Sequence, residues 1–466
     1  MANLLGIDVG TTSMKMVLFD ENGTIFKSVS KEYTLETKGD RVELDAEKYW
    51  QMFSKGYEEI KLEYEVDALS IDTQCETLIV TDDEGTPLYN AIVWLDNRAA
   101  REVEKIAEKF GTKTVYEITG QPEITAIWPA CKLMWLRDNE PEVFGKVKKI
   151  FLLEDFLIYR LTGEFVTERT LQSSSLYLDI REGEWWQEML DFIGINENQL
   201  PRICDSGKLV AEVDGTKIVT GVMDQIAGSV GAGVVTSEIV SEMTGTTMAI
   251  VVPTDKFPAH KEENRVPCHL NYDGNYCLLT WTPTAGIALK WFKENFCENL
   301  SFRQLDEIAE KVEAGSNGLT FMPYLCGSII PKYNPDARGA FLGFTMEHGR
   351  AHAVRAILES VAFMLQENLE YLGVSCSEIR SMGGGALSPL WCQIKADVTG
   401  KKIVTLKSTE AACLGSAIIA GVGAGIYERV PTACKALIVT DKEYYPSGAD
   451  YSDAYKRYLK YEDETI

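Results

Sequence analysis

The tripeptide Gly-Thr-Thr stands at Gly10-Thr11-Thr12 and again at Gly245-Thr246-Thr247, each time between two apolar stretches of strand character. Leu4 to Asp8 and Met14 to Phe19 flank the first copy, and Ser241-Glu-Met-Thr244 and Met248-Ala-Ile-Val251 flank the second. A glycine-led turn between two such stretches closes a hairpin, because glycine adopts backbone angles that other residues resist. The copies head the two halves of a 466-residue chain, long enough for two or three cores at roughly 150 residues per domain. This pattern predicts two similar domains facing each other across a cleft, each offering a Gly-Thr hairpin to one ligand. Glycines become dense over 205–250, at Gly215, Gly221, Gly228, Gly231, Gly233 and Gly245, which puts the boundary near 235 and the domains at 1–235 and 236–466.

Local signals fill in an α/β protein. After the first hairpin, the Asp20-Glu-Asn-Gly23 turn leads to a third antiparallel strand over Ile25 to Tyr33. A helix is predicted from about Asp45, then strands near Val66 to Asp72 and Thr77 to Thr81, closed by the turn at 82–85. Residues 99–200 read mainly as amphipathic helix, including Ala99 to Phe110 and Leu152 to Leu161, an added helical layer.

Charge narrows the partners. Lys plus Arg number 46 against 70 Asp plus Glu, a net charge of −24, and a field of that sign repels phosphate backbones and anionic lipid. Nucleic acid and membrane are therefore not expected as partners. The start of the chain lacks the basic and apolar regions of a secretory signal, and no run has the length of a membrane span, so a cytoplasmic setting is expected. Eleven cysteines form no Cys-x-x-Cys pair and read as buried thiols in a reducing compartment. His348 and His352 have the i, i+4 spacing of two metal ligands, but without a further ligand motif they read as a helix-start pair.

Several segments could carry chemistry. Gly10 would let the backbone approach a phosphate while Thr11 and Thr12 donate to its oxygens, with Lys15 adding charge and Asp8 meeting Mg²⁺ through water; a plain hairpin with Asp8 capping a turn is the bland alternative. In Gly221-Val-Met-Asp224-Gln225 a strand delivers a carboxylate that could take a proton from a hydroxyl under phosphoryl attack, or cap the helix that follows, or both. Ser381-Met-Gly383-Gly384-Gly385-Ala386-Leu-Ser388 offers bare backbone ahead of a helix, suited to an adenine or a phosphate. Neither a dinucleotide fingerprint nor a P-loop is present, and Gly421-Val-Gly423-Ala-Gly425 reads as helix packing and a C-cap. Gln74-Cys75-Glu76-Thr77, Trp94-Leu95-Asp96-Asn97-Arg98 and Trp128 could bind a small polar substrate, although Asp96 and Arg98 could equally be a cap and a solvated first-turn charge.

Together, Ile7-Asp-Val-Gly-Thr-Thr-Ser13, Pro87-Leu-Tyr-Asn-Ala-Ile-Val-Trp-Leu-Asp96, Gly221-Val-Met-Asp-Gln225, Gly245-Thr-Thr247, Gly383-Gly-Gly-Ala-Leu-Ser-Pro-Leu-Trp391 and Glu410-Ala-Ala-Cys-Leu-Gly-Ser-Ala417 resemble, in order and nearly end to end, the FGGY family of carbohydrate kinases. The resemblance implies two ribonuclease-H-like domains around a central cleft, the fold of actin and hexokinase, with sugar on the N-terminal domain and nucleotide on the C-terminal one. It implies ATP and Mg²⁺ as cofactors, Asp224 as catalytic base and Asp8 as the organiser of the metal. Gly10, Thr11, Thr12, Lys15, Gly245 and Thr246 would surround phosphates, Gly286 and Lys290 would lie along the nucleotide, and Gly384 and Gly385 would back the adenosine. The acceptor would meet Gln74, Glu76, Asp96, Arg98, Trp128, Asp224 and Gln225.

The Gln-Arg-Glu-Thr of glycerol kinases is here Gln74-Cys75-Glu76-Thr77, and their following aromatic pair is Ile127-Trp128. Xylulose kinases commonly have Met-His at the Cys75-Glu76 position. The expected activity is phosphorylation of a ketose or polyol, a xylulose-type sugar favoured, with glycerol kinase or a nucleotide-switch ATPase of the same fold as alternatives. A small-molecule acceptor is the expected partner, and a homodimer is left open.

Overall fold

The computed structural model describes residues 2–258 and 265–465. Two compact units emerge, and neither is one continuous piece of chain: unit 1 comprises 1–235, 253–277 and 410–438, and unit 2 comprises 236–252, 278–409 and 439–466. The chain first passes from unit 1 to unit 2 after Val235, and it returns to unit 1 twice, so the units are not the two continuous halves 1–235 and 236–466. The two later returns to unit 1 carry no compositional mark, since they are short elements whose partners lie far away in sequence.

Unit 1 is built on a six-stranded sheet in the order Leu209–Val213, Thr216–Met223, Ala68–Thr73, Asn3–Val9, Ser13–Asp20, Ile25–Glu32. Asn3–Val9 pairs antiparallel with Ser13–Asp20, which pairs antiparallel with Ile25–Glu32, so three antiparallel strands do open the protein. Asn3–Val9, Ala68–Thr73 and Thr216–Met223 run parallel, and their carboxyl ends lie side by side. Asp45 starts the helix Ala46–Lys61 by accepting from the Glu47 amide, as expected of an N-cap aspartate. Leu5, Ile7, Leu69, Phe53 and Phe156 belong to the core beneath this sheet.

Unit 2 repeats the plan. Its strands follow the order Tyr276–Thr282, Met248–Thr254, Ile239–Thr244, Glu378–Met382, Lys402–Leu406, Thr440–Tyr444. The hairpin around Gly245-Thr246-Thr247 is antiparallel, and its first strand pairs parallel with Glu378–Met382, just as Asn3–Val9 does with Ala68–Thr73. The repeated tripeptide therefore marks the same corner of two similar sheets.

Within 99–200, Ala100–Phe110 is the amphipathic helix expected, turning Glu102 and Ile106 inward, while the rest of the span departs from that reading. Helices Ala100–Phe110, Thr112–Thr119, Pro129–Asn139, Leu153–Thr162 and Gln187–Ile193 are there, but short strands interrupt them. Pro129–Asn139 is buried from Pro129 through Leu136, Lys132 included, and Leu153–Thr162 buries Glu154 and Asp155. Charged side chains inside these helices point into protein, so their spacing misreports a solvent face. Leu153–Thr162 joins the first core through Leu153 and Phe156, and the other four helices pack a second core around Leu78, Ile106, Leu133, Met134 and Leu190.

His348 and His352 flank the start of helix Arg350–Leu372, where each Nδ1 accepts a backbone amide, from Thr345 and from Gly349. Among the described residues no group of three or more His, Cys, Asp or Glu is arranged to hold a metal ion. All eleven cysteines are free thiols, ten of them buried and Cys326 exposed. No helix among the described residues is long and apolar enough to cross a membrane.

Candidate active site

Three aspartates gather at the parallel strand ends of unit 1. Asp8 and Asp72 are register partners on adjacent strands, and Asp224 follows Met223, itself the partner of Thr73. Asp72 was not singled out from the sequence, yet Ser70-Ile71-Asp72 repeats the Gly6-Ile7-Asp8 pattern of an apolar strand ending in a carboxylate, the signal that could have found it. Ser416 on helix Ala411–Gly423 donates to Asp72 Oδ2 at 2.5 Å.

The site is electrostatically crowded. Burial pushes the Asp8 carboxyl up to about 6, against the lowering effects of its hydrogen bond with Asp72 and of Lys15. Asp72 is held well above the usual carboxylate range by burial and then by the charge of Asp8. Asp224 is raised in the same way, by burial first and then by Asp8 and Glu76. Carboxylates collected in low dielectric call for a proton or a cation. Asp8 is the carboxylate that could hold a cation at this corner.

Around this cluster sit the other predicted residues of the first half. Gly10 opens the hairpin turn, with its amide donating to the Ser13 carbonyl at 3.0 Å and its carbonyl accepting from the Tyr33 hydroxyl. Thr11 Oγ1 accepts from Trp94 Nε1 at 3.0 Å, while Thr12 is exposed. Lys15 is paired with Glu410 at 2.5 Å, so its charge is partly spent inside the protein. Asp224 is the first residue of helix Asp224–Gly231 rather than its cap: Met223 holds the cap position, and Asp224 Oδ1 accepts from the Gln225 amide at 2.8 Å.

The acceptor candidates separate into two groups. Gln74 Nε2 donates to the Tyr49 hydroxyl at 3.1 Å, and Gln74 Oε1, Thr73 Oγ1, Thr77 Oγ1 and Gln225 Oε1 are buried oxygens with no hydrogen-bond partner. Such a concentration of unpaired oxygens is costly unless a polar ligand or water meets them. Glu76 stands in the same loop at φ 62°, a left-handed conformation uncommon for a residue with a side chain. Its carboxyl is pushed up to about 7 by burial, and the buried Lys132, whose ammonium donates to the Glu76 and Val93 carbonyls at 3.1 and 3.0 Å, is pushed down to about 7. Lys132 thus ties the Glu76 loop to the Trp94 loop, a role hidden in sequence because helix patterning assigned its charge to solvent.

Asp96 and Arg98 form the second group, and they are spent on each other. Asp96 is fully buried, with Oδ2 accepting from the Val42 amide at 2.6 Å and Oδ1 from Arg98 Nε at 2.8 Å. Arg98 also pairs with Glu43 at 2.5 Å and stacks 4.9 Å from the Trp135 ring centroid. Their donors and acceptors are consumed in holding the wall of the loop. Trp128 caps helix Pro129–Asn139, with its indole N–H donating to the Glu123 carbonyl at 2.9 Å and its ring half-buried.

Unit 2 brings its predicted nucleotide residues together at one corner. The Thr246 carbonyl accepts from the Ala285 and Ile287 amides at 3.1 and 3.2 Å, which seats the start of helix Gly286–Phe296 on the Gly245-Thr246 turn. A Cβ on Gly286 would lie 2.2 Å from the Gly245 carbonyl oxygen, and one on Gly385 would lie 2.7 Å from Thr244 Cβ. Gly383 has φ 74° and approaches the Thr244 carbonyl equally closely, while Gly384 is exposed. Side chains are excluded where three backbone segments converge, leaving exposed amides and the hydroxyl of Thr246. Lys290 lies one turn further along the helix, exposed and 3.9 Å from Glu294.

Residues 3–239 match the model of the FGGY family of carbohydrate kinases, N-terminal domain, and residues 240–424 match that of its C-terminal domain. The chain is 30% identical over 459 residues to a xylulose kinase of Lactococcus lactis, covering 94% of this chain and 91% of that one. It is also 30% identical over 464 residues to a glycerol kinase of Thermococcus onnurineus, covering 95% and 93%. The crystal structure of a ligand-bound xylulose kinase from Lactobacillus acidophilus superposes with a TM-score of 0.94 at 27% identity, covering 100% of this chain and 98% of that one. The chain belongs to the FGGY family of carbohydrate kinases, phosphotransferases with an alcohol group as acceptor, and its fold is that of the actin and hexokinase-like ATPases.

Proposed function

We propose that this kinase transfers the γ-phosphate of MgATP to a hydroxyl of a ketose of the xylulose type, with Asp224 as the base. The observation that carries this reading is the gathering of Asp8, Asp72 and Asp224 at parallel strand ends beside the unpaired oxygens of Thr73, Gln74, Thr77 and Gln225. Polyhydroxylated acceptors suit such a set, because each hydroxyl both donates and accepts. Asp224 takes the proton of the attacking hydroxyl as its oxygen bonds to the γ-phosphorus and the bond to the bridging oxygen breaks, releasing ADP. Burial and the neighbouring charges make Asp224 a stronger base than a solvated carboxylate. Mg²⁺, when bound near Asp8, neutralises charge developing on phosphate oxygens.

The ketose is favoured over glycerol by the loop after Thr73. Glu76 is retained, but the buried Cys75 thiol stands where glycerol kinases place an arginine, so the fork that would grip a three-carbon polyol is absent. The test is coupled ADP release from MgATP across glycerol, erythritol, both enantiomers of xylulose and of ribulose, fuculose, rhamnulose and gluconate. We expect a xylulose to show the highest kcat/KM. Highest turnover on glycerol would transfer the reading to that alcohol, and release independent of any sugar would replace it with a nucleotide-switch ATPase.

The charge at Asp8 also bears on stability. A carboxyl raised from 3.8 to about 6 in the folded state binds its proton more tightly there than in the unfolded chain, so its ionisation removes stability as pH rises between those values. At neutral pH Asp8→Asn should raise the melting temperature while abolishing turnover, and added Mg²⁺ should stabilise the wild type more than the variant. A variant that melts below the wild type at neutral pH would show that the Asp8 charge is already compensated within the protein.

A further inference from the structure

Beneath the converging turns of unit 2 lies an ion pair withdrawn from solvent. Lys395 on helix Pro389–Thr399 and Glu242 on strand Ile239–Thr244 are both fully buried. The Lys395 ammonium donates to Glu242 Oε1 at 3.0 Å, to Glu242 Oε2 at 2.9 Å and to Thr244 Oγ1 at 3.0 Å, so each of its three protons has an acceptor. Ser381, the register partner of Glu242 on the neighbouring strand, donates to Oε2 at 2.7 Å, and the Thr244 hydroxyl donates to Oε1. Stability alone does not account for such a group, because apolar residues of the same volume often replace a buried pair at no loss.

Its position gives it a use. Thr244 immediately precedes the Gly245-Thr246 turn, and it is also the floor on which the triple-glycine segment rests: Cβ atoms added at Gly383 and Gly385 would lie 2.7 Å from its carbonyl oxygen and from its own Cβ. The same added atom on Gly385 would lie 3.3 Å from Lys395 Nζ. Lys395 and Glu242 hold the Thr244 rotamer from below, and Thr244 sets the separation of the two turns above.

We infer that Lys395, Glu242 and the Thr244 hydroxyl form a positioning unit for nucleotide binding, fixing the spacing of the Gly245-Thr246 and Gly383–Gly385 turns without touching the ligand. The inference rests on the MgATP of the proposed function meeting those two turns, as the family resemblance implies. It predicts that Thr244→Val, which keeps shape but loses the hydroxyl, weakens binding of ADP with Mg²⁺ by about tenfold or more, the scale on which small displacements of positioned groups act.

The measurements are calorimetric titration with ADP and Mg²⁺, KM for MgATP and for the acceptor, and melting temperature. Thr244→Ser should bind as the wild type does. Lys395→Met with Glu242→Leu should keep the melting temperature near that of the wild type yet bind ADP as weakly as Thr244→Val, with KM for the acceptor within about twofold, since the acceptor candidates belong to unit 1. Wild-type ADP affinity in both the double variant and Thr244→Val would overturn the inference and leave the pair a purely structural feature. A wild-type protein that binds no ADP would instead overturn the nucleotide reading, and this inference with it.

Discussion

Asp224→Asn will lower turnover by roughly 10² to 10⁴, the usual contribution of a general base, while MgATP binding stays close to that of the wild type. Asparagine keeps the shape of the side chain and can still accept from the Gln225 amide through Oδ1, so the helix Asp224–Gly231 has no reason to shift. What is lost is the proton acceptor. The same substitution should raise the melting temperature at neutral pH, because Asp224 is held well above the ordinary carboxylate range by burial and by the charges of Asp8 and Glu76. A raised folded-state value means that ionisation destabilises the folded chain at neutral pH, and the amide removes that cost. Turnover near that of the wild type would end the assignment of Asp224 as base. Unchanged turnover together with a raised melting temperature would make it a buried acid of structural consequence only.

The second large effect is mechanical and lies behind Asp224. Helix Asp224–Gly231 crosses helix Ala411–Gly423 at backbone distance: a Cβ on Gly231 would fall 1.7 Å from the Ala411 carbonyl oxygen, and one on Gly415 would fall 1.9 Å from that of Ala227. Helix Ala411–Gly423 in turn lies on strand Asn3–Val9, where a Cβ on Gly6 would fall 1.7 Å from the Cys413 carbonyl oxygen. No rotamer change relieves an overlap with backbone, so Gly231→Ala must push the helices apart. We expect a loss at or above the upper end of the roughly 1 to 3 kcal/mol of overpacking, about 6 to 12 °C in melting temperature for a unit of this size, with turnover falling as Asp224 moves. Gly228 on the same helix has nothing near its missing Cβ, and Gly228→Ala should be neutral or stabilising by up to about 1 kcal/mol. Equal melting temperatures for the two variants would show that the crossing yields more easily than its distances imply.

Much of the sheet corner was legible in the chain. Strand, Gly-Thr-Thr and strand at two places foretold two hairpins because hairpin pairing is local, and both occupy the same position within similar sheets. The start of the helix Ala46–Lys61 and the roles of His348 and His352 also follow from neighbours a few residues away. Parts of the helical layer depart from the amphipathic reading for the opposite reason: Lys132, Glu154 and Asp155 carry charges that periodicity assigns to solvent, and their partners come from distant loops. Glu154 accepts from the Gly221 amide at 2.8 Å, a contact spanning 67 positions. Asp96 and Arg98 look like ligand-binding groups in the sequence, and only the fold shows Glu43 and Val42 closing around them.

Sequence by itself determined the duplicated plan, the glycines at close approach and the carboxylates available for phosphoryl transfer, since turn chemistry and strand patterning act over a few residues. Tertiary structure alone decided that Asp72 joins Asp8, that 410–438 returns to unit 1 behind Asp224, and that Lys395 finds Glu242. Each of those pairings joins groups 64 or more positions apart, brought within bonding distance only when sheets and helices bury their apolar faces together.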